Sequence, residues 1–283
     1  TTSVTTSPRP TAPASTSGAP VFEPGAHQAA GLEGSALCGS ALLVPLASSA
    51  RPAQSYDWLC EVAARLSVAG HAVAVLDATA TEQASVHAAG QTRELPLGLL
   101  RALVDPSVVQ LERPLDDADW LVMPAALGLE RLLDTARAAG PRAAVSRLLA
   151  PFAADVVVLL FAPAAALGEL LCDTGAHALV PVIGPAQNGL DTYAAAKLLQ
   201  FAGLQPVLCP LHHDLPGDSA AHTTRTVIDC ARRHLDTEWP VWPADSWNTR
   251  IPVVAQAAQA SAVPNALTGG RADGRPSGRF LWS

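Results

Sequence analysis

Lysine is almost missing from this chain: Lys197 stands alone among 18 basic residues, and the others are arginine. Aromatic residues make up only 5% of the sequence, so alanine, leucine and valine must fill any core. The formal net charge is −7, and no basic run offsets it. Arg232-Arg233 is the densest pair and reads as a solvated helix face. A chain of this charge is repelled by nucleic acid and by anionic lipid, so neither is expected as a partner. The five cysteines (Cys38, Cys60, Cys172, Cys209 and Cys230) include no CxxC pair. Their odd number and wide spacing suggest neither a zinc site nor a disulfide framework, and buried reduced thiols, as in a cytosolic protein, are the plain reading. No apolar run approaches the roughly 18 residues that span a bilayer. The Thr/Ser/Pro-rich start does not resemble a signal peptide. A soluble, cytoplasmic protein without metal or cofactor is the expectation.

What is present is a hydrophobic fraction of 49%, enough for a sizeable core. Residues 1–35 form a Thr/Ser/Pro/Ala tract expected to remain disordered. Periodicity fades beyond Ser246, which sets a domain of residues 36–245 and a flexible tail over 246–283. That tail ends in an apolar tip, Phe280-Leu281-Trp282, read as a plain terminus or a short docking peptide. Between the tails, strand and helix patterns alternate. Apolar runs at Ala41–Leu46, Ala72–Leu76, Trp120–Met123, Asp155–Phe161, Leu179–Ile183 and Pro206–Cys209 read as strands. Pro181 argues for an edge or a bulge in the fifth of these. Helical spacing covers Ser55–Ala69, Leu97–Leu103, Leu129–Ala139, Ala164–Cys172, Asp191–Ala202 and Ala220–Leu235. Gly70 and Gly203 stand at helix ends, Gly140-Pro141 stops another helix, and Asp191 reads as a cap. Strands that are apolar throughout and alternate with helices predict an α/β fold: a doubly wound, mostly parallel sheet with helices on both faces.

In such a sheet, ligands sit at the carboxyl ends of the strands. Three strand–loop units carry a pattern there. From Leu42 to Asp77 the order is strand, loop, helix, Ala69-Gly70-His71 turn, and strand ending in Asp. From Asp119 to Glu130 it is Asp, apolar strand, Pro124, and then Gly128. From Ala154 to Pro163 it is acidic residue, strand, and Pro163 before a helix. In order and spacing the three units resemble the MinD/ParA class of P-loop ATPases. The resemblance covers about Leu42 to Leu171 and implies that family's three-layer fold.

The loop chemistry departs from the family. A phosphate-binding loop needs glycines, a lysine and a Ser/Thr for magnesium. The segment from Ala47 to Tyr56 has neither glycine nor lysine, and Pro52 removes an amide donor. Pro124 stands where the family places a magnesium-linked Asp. Phosphoryl transfer depends on charge stabilisation and positioning, so these losses predict no ATP hydrolysis. Ser48, Ser49, Arg51 and Asp77 occupy the degenerate nucleotide positions, and the first three precede a helix N-terminus where an anion could rest. Asp77 and Asp119 equally fit helix or turn caps. The resemblance implies a catalytically inactive relative acting on a protein partner, such as an active MinD/ParA-type ATPase, as a homo- or heterodimer within a cell-surface or positioning machinery. The alternative is an enzyme, transferase-like, that reuses the cleft for another small molecule. A DNA-partition role is disfavoured by the charge. His212-His213-Asp214 with His222 and Cys209 reads as a solvated polar loop rather than a metal site. Trp239, Trp242 and Trp247 read either as a strap across the core or as an aromatic anchor for a partner.

Overall fold

The computed structural model describes residues 40–49, 52–82, 98–111, 120–183, 187–211 and 219–262. The proposed tail over 1–35, Arg51 and the loop 212–218 lie outside the described residues. The strands are β1 Leu42–Ser48, β2 Val73–Asp77, β3 Leu121–Pro124, β4 Val157–Pro163, β5 His177–Val182 and β6 Gln205–Pro210. All their pairings are parallel, in the order β3-β2-β4-β1-β5-β6. The α/β doubly wound architecture expected from the alternating pattern is therefore present.

The period of two along each strand sorts side chains into two cores. Leu42, Val44 and Leu46 of β1, Val73 and Val75 of β2, and Val157, Leu159 and Phe161 of β4 share one core. Helix α1 (Pro52–Val68) covers it with Trp58, Leu59, Val62 and Leu66. Ala47, Ala74, Leu76, Val158, Leu160 and Ala162 face the other core. There they meet α4 (Ala126–Ala139), α5 (Pro141–Leu149), α6 (Ala164–Leu170), α7 (Gln187–Phe201) and α8 (Ser219–Leu235). Two short helices, α2 (Leu99–Val104) and α3 (Ser107–Leu111), precede β3.

Several boundaries differ from the sequence pattern, each for a local reason. Gly70 takes φ +90, with its N–H on the Ser67 carbonyl and the His71 N–H on the Leu66 carbonyl, so α1 ends in a Schellman turn as expected. Gly140, at φ +89, stops α4, but Pro141 at once starts α5, a helix the pattern did not show. Proline suits the first helical position, where its missing N–H has no partner to lose. Helix α7 begins at Gln187, so Asp191 lies in its second turn and is not a cap. Strand β5 is not an edge. It pairs with β6 along its length and with β1 at Leu46–Leu179, and the Thr192 hydroxyl donates to the Pro181 carbonyl at 3.0 Å.

The largest difference is at residues 247–262, assigned from the pattern to a flexible tail. Trp247–Ala262 is a helix, α9, which packs on α1 and β1. Trp247, Ile251 and Ala255, four residues apart, enter the first core beside Trp58. The rings of Trp58 and Trp247 meet edge to face with centroids 6.0 Å apart. So narrow an apolar stripe, with Pro252 inside it, hides the helix from a periodicity count.

Candidate functional site at the carboxyl edge of the sheet

β1 leads through α1 to β2 on one side of the sheet, whereas β4 leads through α6 to β5 on the other. Helices α1 and α6 lie in opposite cores. The chain therefore diverges between neighbouring β1 and β4, beyond Ser48 and Pro163, which are in register. This is the switch point where open α/β sheets place ligands. Asp77 stands near it, in register with Phe161 on one side and Pro124 on the other.

The polar groups at this edge are turned onto one another. Ser48 is buried at the end of β1. The Ser49 N–H donates to the Ser55 hydroxyl oxygen at 3.2 Å, and the Ser49 hydroxyl contacts it at 3.3 Å. Ser55 is fully buried in the first turn of α1. A phosphate cradle needs its amides free and convergent, and the Ser49 amide is already committed. Asp77 is also buried, and its Oδ1 accepts from the Thr79 N–H at 2.9 Å and the Thr79 hydroxyl at 2.6 Å. That is an Asx-turn, the capping use of a strand-end aspartate. The Asp77 carbonyl receives the Ala125 N–H at 2.8 Å and so ties β2 to the start of α4.

Glu82 was not singled out by the sequence pattern. Its buried carboxylate accepts from Leu100 N–H at 3.2 Å, Leu127 N–H at 2.6 Å and Gly128 N–H at 3.1 Å. One side chain thus serves the first turns of α2 and α4, whose amides carry the positive end of the helix dipole. An external anion would rest on amides of this kind, and here the chain supplies its own. The arrangement also explains Gly128. A Cβ there would lie 2.5 Å from Leu99 Cγ and 2.8 Å from the Leu100 nitrogen. Its role is close approach of α2 to α4. No local sequence signal marks Glu82, because the amides it accepts from are 18 and more residues away along the chain.

Two nucleophile-bearing side chains described near the edge are held protonated. Burial, then the charges of Cys60 and Asp77, push the Tyr56 phenol above its ordinary pKa. Burial, then Asp57, push the Cys60 thiol up. Both groups keep their protons at neutral pH, so neither is an activated nucleophile. Among the described residues, the charged side chains at the ends of β2 and its following turn, Asp77 and Glu82, are acids, and the Pro124 side chain offers no metal ligand. Among the described residues no three His, Cys, Asp or Glu side chains gather as a metal site. Cys209 is fully buried and His222 is exposed.

The three tryptophans, read from the sequence as a strap across the core or as an aromatic anchor for a partner, are core residues. Trp239, Trp242 and Trp247 are all buried. The Trp239 Nε1–H donates to Gln200 Oε1 at 2.7 Å, and the Trp247 Nε1–H to the Trp242 carbonyl at 2.9 Å. The backbone of Trp242 and Pro240 bonds both polar groups of Leu208, so this segment straps the outer edge of β6. His177 stacks on Trp242, and burial lowers its pKa. The folded state therefore disfavours the imidazolium relative to the unfolded chain. The stabilisation is complete above about pH 6.5 and is lost as pH falls through the folded value. Urea unfolding between pH 7.5 and 5 should show this loss, and His177→Gln should flatten the dependence.

No protein-family description matches the chain, and no curated protein matches it in sequence. Solved structures with a similar course of chain include a Cyanothece McdA–ATP complex, at 12% identity and TM-score 0.45, covering 79% of this chain and 96% of that one. The MinC:MinD cell division protein complex of Aquifex aeolicus gives 13% and 0.41, covering 85% and 99%. A partition protein gives 13% and 0.39, covering 79% and 68%. At these identities the likeness says nothing about the chemistry of a site. No described helix is long and apolar enough to cross a membrane.

Proposed function

We propose that this chain is a catalytically inactive protein of MinD/ParA outline that acts by contact with a protein partner in a positioning or cell-surface machinery. The supporting observation is the self-closure of the carboxyl edge. Ser49 is bonded to Ser55, Asp77 is held in a turn by Thr79, and the Glu82 carboxylate rests on the amides of α2 and α4. A nucleotide's phosphates would approach two buried acids, with Arg51 as the one cation in a β1–α1 loop that lacks lysine and glycine. Phosphoryl transfer requires the opposite field. The partner class suggested by the sequence resemblance is an active ATPase of the same type. The same self-pairing weighs against a transferase-like use of the cleft, which needs convergent polar groups free to meet a ligand.

The test is calorimetric titration of ATP, ADP and GTP with magnesium into the full chain, with turnover assayed alongside. The expected result is no binding heat up to millimolar nucleotide and no phosphate release. Micromolar binding of any of the three, or magnesium-dependent turnover, would overturn the reading.

A further inference from the structure

Helix α7 presents an uncovered apolar stripe. Leu190, Leu198 and Phe201 are 73%, 52% and 71% exposed, and exposed Ala194 lies between them. Their spacing places them on one helix face about 16 Å long at 1.5 Å per residue. The other sides of α7 pack on α6, α8, β5 and β6. The amine of Lys197 lies 5.7 Å from the Phe201 ring centre and borders the stripe, with Asp191 near its start. Among the described residues, the other exposed large apolar side chains, Val68, Val104, Val122 and Val253, belong to four different elements.

A stripe of this size offers on the order of 300 Å². A stable dimer buries about 800 Å² on each partner. The occupant it fits is a short apolar segment held close by the chain. Residues 263–283 contain one, Phe280-Leu281-Trp282, preceded by Arg271, Arg275 and Arg279 with Asp273 as the only acid. This segment is basic, whereas the chain as a whole carries −7, and Arg279 adjoins the apolar triad as Asp191 adjoins the stripe. Reach permits the contact. Helix α9 lies on β1 and β5 on one face of the sheet, and α7 lies on β5 and β6 on the other. The path around the β6 edge is about 40 Å, from strand spacings of about 4.8 Å and layers about 10 Å apart. Residues 263–279 can extend about 55 Å at about 3.3 Å each.

We infer that the exposed stripe of α7 is the docking site of Phe280-Leu281-Trp282 of the same chain. Docking within one chain needs little affinity, because the tether supplies a high effective concentration. This inference is independent of nucleotide binding, so it can fail or succeed separately from the proposed function.

Trypsin tests it on the purified full chain. Docking should slow cleavage of the Arg279–Phe280 bond. The paired change Leu198→Ser and Phe201→Ser, at exposed positions, should speed that cleavage about tenfold, since proteolysis follows the undocked population. The protection should not change with protein concentration. A second variant reads the other side. With Phe280, Leu281 and Trp282 all replaced by alanine, acylation of Lys197, the chain's only lysine, should accelerate severalfold. Equal cleavage rates in the native chain and the α7 variant would overturn the inference, as would unchanged Lys197 acylation. Protection that grows with concentration would also overturn it, because the occupant would then be a second copy.

Discussion

Trp247→Ala is expected to destabilise the fold by about 3–5 kcal/mol, the usual cost of truncating a buried large aromatic residue. The ring is fully buried, packs edge to face on Trp58, and donates its N–H to the Trp242 carbonyl. The substitution would leave a cavity between α1 and α9 and free the carbonyl that anchors the β6 strap. The buried Nε1–H of Trp58 already lacks an acceptor, so this layer carries an unsatisfied donor before the substitution. Against a total stability of about 5–15 kcal/mol, the loss would leave a marginal fold. Urea unfolding followed by circular dichroism measures it. Val253→Ala on the same helix is the control: that side chain is 63% exposed, and its loss should change stability by no more than about 0.5 kcal/mol. Equal midpoints for the two variants would mean that α9 does not dock and that the chain beyond 246 behaves as a tail.

Glu82→Ala is the second large effect, expected to cost about 3 kcal/mol or more. The carboxylate accepts three backbone N–H groups from two helices, all near buried surface. Each donor left without a partner costs about 1–3 kcal/mol, and bonds to a charged acceptor lie at the upper end. Equilibrium unfolding gives the loss, and hydrogen exchange at Leu100, Leu127 and Gly128 locates it. Added phosphate or sulfate provides a further check. Glu82→Ala uncovers helix amides that favour an anion, so these ions should restore stability in the variant and not in the native chain. A variant as stable as the native chain would show that the carboxylate is not the anion those helices need, and would remove the main support for a self-closed edge.

Glu82 takes its role from helices distant in the chain, whereas the lack of lysine and glycine in the β1–α1 loop is visible in the sequence. Along the chain, the apolar runs at β1, β2, β4 and β6, the αL glycines Gly70 and Gly203, and the helical stripes of α1, α4 and α8 are each specified by neighbours a few residues away. Such signals survive in a linear reading, because the strand period of two and the helix period of 3.6 are local properties. Helices α5 and α9 escape a periodicity reading because their signals are short or narrow. The start of α5 rests on a single proline, and α9 shows its apolar side only at Trp247, Ile251 and Ala255.

By itself the sequence determined the alternating α/β order, the absence of lysine and glycine from the β1–α1 loop, and the placement of Ser48, Ser49 and Asp77 at strand ends. What those residues do was decided only by the tertiary structure. Asp77 could have faced a ligand and instead holds Thr79; Ser49 could have lined a cradle and instead meets Ser55; the tryptophans could have been surface anchors and are core. The physical reason is range. Secondary structure follows from contacts within a turn or a strand. The partner of a polar group at a sheet edge comes from segments distant in sequence, as Glu82 shows with amides 18 and 46 residues away.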